Sequence, residues 1–162
     1  MGDVYEAKLS SPEKALAEAH NFITELASQL TADLRASVEL AIIEFVENAV
    51  KYASPQEVGV WARLTVELEG NRVSVCIVSR PRNREDVQSA LIVLRRIRDA
   101  KDVSQLYKER LMELMKHPGT RPRLGLLRVA YEGEFELSAQ QPGPMLELTA
   151  TRQRHCIHPQ KT

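Results

Sequence analysis

The chain has 162 residues, 43% of them hydrophobic and 27% charged, with Lys plus Arg matching Asp plus Glu at 22 each. That length suits one domain with a full-sized core. The charge balance leaves no global field to attract nucleic acid or an anionic membrane. No apolar run is long enough to cross a bilayer, and the opening Met1-Gly2-Asp3-Val4-Tyr5-Glu6 is polar and acidic, unlike a signal peptide. The expectation is a cytoplasmic protein with no membrane or nucleic-acid partner.

Residues 4–9 read as an edge strand. Ser10-Ser11-Pro12-Glu13 is a helix start, with a Ser cap, an early Pro and an acidic first turn. The helix it opens is predicted to run to about Leu30, with Leu16, Ala19, Ile23, Leu26 and Leu30 on one face. A second helix starts near Ala32-Asp33 and ends before Pro55. Residues 58–69 then alternate. Val58, Val60, Ala62, Leu64, Val66 and Leu68 point one way, and Trp61, Arg63, Thr65 and Glu67 the other. Gly70-Asn71 signals a tight turn, and 73–79 returns as the next strand. Helices are predicted over 85–100 and 103–116. A loop with Pro118, Gly119 and Pro122 leads to a short helix over 124–131, and 134–138 with 145–151 closes as a hairpin. This order predicts an α+β two-layer sandwich, a mostly antiparallel sheet with helices on one face. The domain spans 1–152, with a tail at 153–162.

Cys76 and Cys156 make no disulfide framework. His155-Cys156-Ile157-His158 offers soft metal ligands without a second cluster to complete a tetrahedral set, so it reads as tail. His20 and His117 are isolated.

The chemistry concentrates in Ile43-Glu44-Phe45-Val46-Glu47-Asn48-Ala49-Val50-Lys51-Tyr52-Ala53. Glu44, Asn48 and Lys51 stack on one helix face, bordered by Val38, Ile42, Phe45, Val46, Ala49 and Val50. Polar groups beside a core need partners. Hydrated magnesium with nucleotide phosphates would satisfy all three; bonds to one another or to water would do so equally, and spacing alone favours the latter.

Glu44-x-x-x-Asn48-Ala49-x-Lys51-Tyr52-Ala53 resembles the Asn-box of the GHKL superfamily of ATP-binding domains, and most of all its anti-sigma-factor and serine-kinase branch. The resemblance implies a layered α/β fold of that type, with Mg²⁺ on Asn48, a catalytic Glu44 that polarises the attacking group, and Lys51 near phosphate. Arg123-Leu124-Gly125-Leu126 resembles half of a second glycine box, so Arg123, Gly125 and Leu126 are further candidates for holding ATP phosphates. The first box, Asp-x-Gly-x-Gly, is absent. Arg80-Pro81-Arg82-Asn83-Arg84 stands in its place, a solvated loop or a grip for phosphate or an acidic partner.

Leu106-Tyr107-Lys108-Glu109-Arg110-Leu111, followed by Gly125-Leu126, is similar to the SiaB-type protein kinases, across roughly 38–151. Spacing alone also allows an ordinary charged helix face there. The resemblance implies a bacterial signalling switch that uses ATP and Mg²⁺ to phosphorylate or sequester a small partner protein, of the sigma or anti-sigma kind. Family members often dimerise, so a homodimer is compatible. The degenerate glycine boxes support the alternative, a nucleotide-free pseudokinase that acts only as a protein-binding module.

Overall fold

The computed structural model describes residues 2–54, 59–117 and 124–153. Among them the chain forms β1 (Asp3–Leu9), α1 (Pro12–Leu26), a 3-10 turn (Ala27–Gln29), α2 (Ala32–Tyr52), β2 (Ala62–Glu69), β3 (Arg72–Ser79), α3 (Arg84–Asp99), α4 (Val103–Lys116), α5 (Leu124–Tyr131), β4 (Glu136–Gln140) and β5 (Leu146–Gln153). The strands form one five-stranded antiparallel sheet in the order β1-β2-β3-β5-β4. The helices cover one face, which makes a two-layer α/β sandwich. No described helix is long and apolar enough to cross a membrane.

Period-two burial sets the sheet's inner face. Leu64 and Val66 of β2, Val73, Val75 and Ile77 of β3, and Leu148 and Ala150 of β5 are buried against the helices. Facing them, α2 buries Leu34, Val38, Ala41, Ile42, Phe45, Val46 and Ala49. Such a wide buried arc leaves α2 little polar surface. Its Glu44, Asn48 and Lys51 therefore emerge at the edge of the core.

Three helix starts follow from local chemistry. Ser11 caps α1 by accepting from the Lys14 amide, Asn83 caps α3 by accepting from the Asp86 amide, and Asp102 caps α4 by accepting from the Ser104 and Gln105 amides.

Some expectations shift. The first α-helix ends at Leu26, and its buried residues are Ala15, Ala19, Phe22 and Leu26, while Leu16 is exposed and Ile23 only half-buried. Both faces fit a 3.6-residue period. The two alanines, lacking bulk, face the α2 and β1 elements that α1 packs against. Trp61 is buried, although strict alternation puts it on the solvent side. It precedes the regular ladder, which opens at Ala62, and its amide donates to the Leu9 carbonyl. Val58 lies outside the described residues. The closing hairpin sits one or two residues later than predicted, and Gln153, assigned to the tail, ends β5.

Candidate functional site

The polar edge of α2 meets α5, which in turn packs on α4, but not as the sequence suggests. Glu44 is buried and its Oε1 accepts from the Arg128 guanidinium at 2.9 Å. Arg128 also donates to Glu132 at 3.2 and 3.3 Å, and Glu132 accepts from the Tyr107 hydroxyl at 3.1 Å. The Tyr107 and Tyr131 rings pack with centroids 5.1 Å apart. A continuous network therefore runs Glu44–Arg128–Glu132–Tyr107, tying α2 to α5 and α4. Arg128 and Glu132 carry a one-turn i, i+4 signal in the sequence, but nothing in that spacing points to Glu44.

Gly125 is what lets Glu44 approach α5. A Cβ at Gly125 would meet the Glu44 Oε2 at 2.1 Å, well inside contact distance. The glycine and the carboxylate of the two sequence motifs are thus brought together. Leu126, the neighbouring candidate, is fully buried in the core and presents no side chain to a ligand. Lys51 is exposed on the last turn of α2. Arg123 lies outside the described residues, as do Arg121, Gly119 and the His155–Cys156–His158 cluster.

Burial pushes the Glu44 carboxyl above its ordinary range; Arg128 opposes that shift, and Glu47 adds to it. Arg128 itself is driven upward by Glu132 and Glu44 against the opposing effect of burial. A raised folded-state pKa favours the protonated carboxyl on folding. Its contribution is complete below the ordinary carboxylate pKa and is lost as pH rises through the folded value. Glu44→Gln removes this titration. The variant should therefore gain stability relative to wild type as pH is raised from 4 towards neutrality. Urea midpoints across that range check the sign, and a flat difference would mean that Arg128 fully offsets the burial.

Asn48 stands one turn further along. Its Nδ2 is buried and has no hydrogen-bond partner among the described residues. It lines a small cavity with Phe45, Tyr52, Ile77, Pro81 and Val87. The cavity's volume is about 20 Å³, room for one water molecule. Small-molecule sites usually offer roughly 300–1,000 Å³. The unpartnered amide fits a water or other small polar ligand.

The arginine loop has a structural role that the sequence does not disclose. Arg82 donates from Nε to the Ala53 carbonyl at 3.2 Å, and from a terminal nitrogen to Lys51 at 2.6 Å and Val50 at 3.4 Å. The backbone follows, Ser54 amide to Arg80 carbonyl and Arg82 amide to Tyr52 carbonyl. Arg82 thus satisfies the orphan carbonyls at the α2 C-terminus, where a cation also meets the helix dipole. Although exposed, its guanidinium is engaged by these carbonyls and is not a free ligand group.

The comparisons belong beside this geometry. The fold is similar to a chain in the crystal structure of the SiaB–SiaC complex from Pseudomonas aeruginosa. The TM-score is 0.61 at 22% sequence identity, covering 92% of this chain and 88% of that one. At that identity the likeness establishes the fold. Neither a family model nor a curated protein matches the sequence.

Proposed function

We propose that this protein is a SiaB-like regulatory protein of the GHKL-derived type that works by binding a small protein partner in a signalling switch, without using nucleotide. The observation that carries this reading is the self-occupied state of the Asn-box. Glu44 is held by Arg128 against Gly125, and the cavity beside Asn48 has room for one water molecule. The fold's likeness to a protein whose structure is of a two-protein complex supports a protein partner.

The test is direct. The purified protein is mixed with proteins encoded beside its gene, and association is measured by calorimetry with and without magnesium-ATP. Complex formation independent of nucleotide is expected, along with no thermal shift from magnesium-ATP. A ligand at about one hundred times its dissociation constant would add roughly 2.7 kcal/mol of stability, so a binding nucleotide would be seen.

The unpartnered Asn48 amide favours a second reading, a kinase that uses magnesium-ATP on the same partner. Under it Asn48 would hold Mg²⁺, Lys51, Arg123 and the Gly125–Leu126 turn would border phosphates, and Glu44 would face the acceptor hydroxyl. Any affinity would rest on phosphate charge, with ATP and GTP differing little. Asn48→Ala separates the two readings. The Nδ2 has no partner to lose, so the variant's stability should stay within about 1 kcal/mol of wild type. On the first reading, partner binding is unchanged. Labelling of the partner from ATP that disappears in Asn48→Ala and Glu44→Gln would establish the second.

A further inference from the structure

A surface groove of about 530 Å³ opens between residues 80–84 and the β4–β5 turn. Arg80, Arg82 and Arg84 lie along one wall, and Gln141, Gly143 and Pro144 along the other. Among the described residues no carboxylate lines it, in a chain whose acidic and basic residues are equal in number. A randomly solvated loop in such a chain would be expected to carry both signs.

The three arginines are not equivalent. Arg82 is spent on the α2 carbonyls. Arg80 and Arg84 are exposed, and neither makes an ion pair or side-chain hydrogen bond among the described residues. Their backbone is nonetheless fixed. The Ser54–Arg80 and Arg82–Tyr52 hydrogen bonds form an isolated bridge, Ala53 to Pro81, and Asn83 begins α3 as its cap. The opposite wall is also fixed, because the Met145 amide closes a turn on the Pro142 carbonyl, with Gly143 at φ +63°. Both walls are therefore held by backbone bonds, with two guanidiniums unengaged. With its backbone anchor fixed, an exposed arginine has only side-chain freedom to lose on meeting a carboxylate, and its planar guanidinium fork matches that group. The next acidic residues along the chain, Glu85 and Asp86, sit in the first turn of α3 outside the groove lining.

We infer that this groove receives an acidic segment of the protein partner, with Arg80 and Arg84 each meeting a carboxylate. The assignment deepens the partner-binding reading and rests on it. The chain's zero formal net charge and 5% aromatic content disfavour nucleic acid as the occupant.

The test uses the full chain and a fluorescein-labelled hexaglutamate peptide, read by anisotropy at 50 mM and 500 mM salt. Hexaglutamine and a single-stranded oligothymidine of similar length serve as comparison probes. Wild type should bind hexaglutamate, lose at least five-fold in affinity at high salt, and bind the other two probes more weakly. Arg80→Glu/Arg84→Glu should weaken binding at least ten-fold. Arg95→Glu/Arg96→Glu, with the same change of charge on an exposed part of α3, should leave it within two-fold. Arg80→Gln/Arg84→Gln should fall between, and melting of every variant confirms its fold. No binding by wild type, equal losses in the two charge-reversed variants, or stronger binding of oligothymidine would each overturn the assignment. A partner that binds wild type and Arg80→Glu/Arg84→Glu equally sinks the groove while sparing the regulatory reading. If no encoded partner binds wild type, the regulatory reading fails, and the peptide result still decides the groove.

Discussion

Gly125→Ala should destabilise the protein by about 1–3 kcal/mol, the usual cost of overpacking a filled site. The direction is informative because the same change in an unencumbered helix is worth up to about 1 kcal/mol in the opposite sense. The added methyl would meet the Glu44 Oε2 at 2.1 Å, so the carboxylate must leave. That side chain is not free to swing, since Arg128 holds its other oxygen at 2.9 Å. Moving it separates a half-buried ion pair and strands Arg128 on Glu132 alone. A double-mutant cycle with Glu44→Ala isolates the effect. With the carboxylate gone, Gly125→Ala should become neutral or stabilising, giving a coupling of about 1–3 kcal/mol. The cycle is read from urea unfolding. A stabilising Gly125→Ala in the wild-type background would mean that Glu44 does not occupy that space. The glycine of the half-kept second box would then need another explanation.

Arg152→Ala should cost about 2–3 kcal/mol, although the residue stands near the end of the last strand. The Arg152 side chain is only 10% exposed. One terminal nitrogen donates to the Ser37 Oγ at 2.5 Å and to the Gly133 carbonyl at 3.4 Å, and the other pairs with Glu134 at 3.0 Å. It thus ties β5 to α2 and to the turn before β4. Truncation leaves the buried Ser37 hydroxyl without this donor, and bonds from a charged donor are worth roughly 1.5–3 kcal/mol each. The Glu134 pair adds little, because that carboxylate is 61% exposed. Glu134→Gln should accordingly cost less than about 1 kcal/mol. Arg152→Lys should recover little, since an ammonium lacks the planar fork that serves Ser37 and Gly133 from one nitrogen and Glu134 from the other. Denaturant midpoints of the three variants rank them. A cost below about 1 kcal/mol for Arg152→Ala would show that the α2 contact is not needed.

The elements of the helical layer were largely legible in the sequence. Residues 103–116 and 124–131 are helices with the predicted bounds, and the Gly70-Asn71 turn joins β2 to β3 as expected. These segments are set by short-range chemistry, period and caps. What failed was the choice between faces that fit the same period. Leu16 and Ala15 both belong to an apolar arc of α1, and only the approach of α2 and β1 selects Ala15. Trp61 escaped alternation for a related reason. It lies outside the ladder, so strand period does not govern its side chain.

The candidate site divides along the same line. Local spacing put Glu44, Asn48 and Lys51 on one face of α2, and the resemblance to a second glycine box marked Gly125 at the opening of α5. The sequence by itself thus determined the helix, its apolar arc, its polar edge and the absence of a first glycine box. Tertiary structure decided the state of those groups. Arg128 lies 84 residues from Glu44, and Arg82 lies 31 from Lys51, so no periodic pattern connects them. Their contacts exist because α5 packs on α2 and because residues 80–84 fold back over its end. Through those contacts a carboxylate with the spacing of an active-site base becomes half of an ion pair. One arginine of the loop becomes a helix clamp, and Arg80 and Arg84 are left facing a groove. Hydrogen bonds and charges act over a few ångströms of space, whatever the separation along the chain.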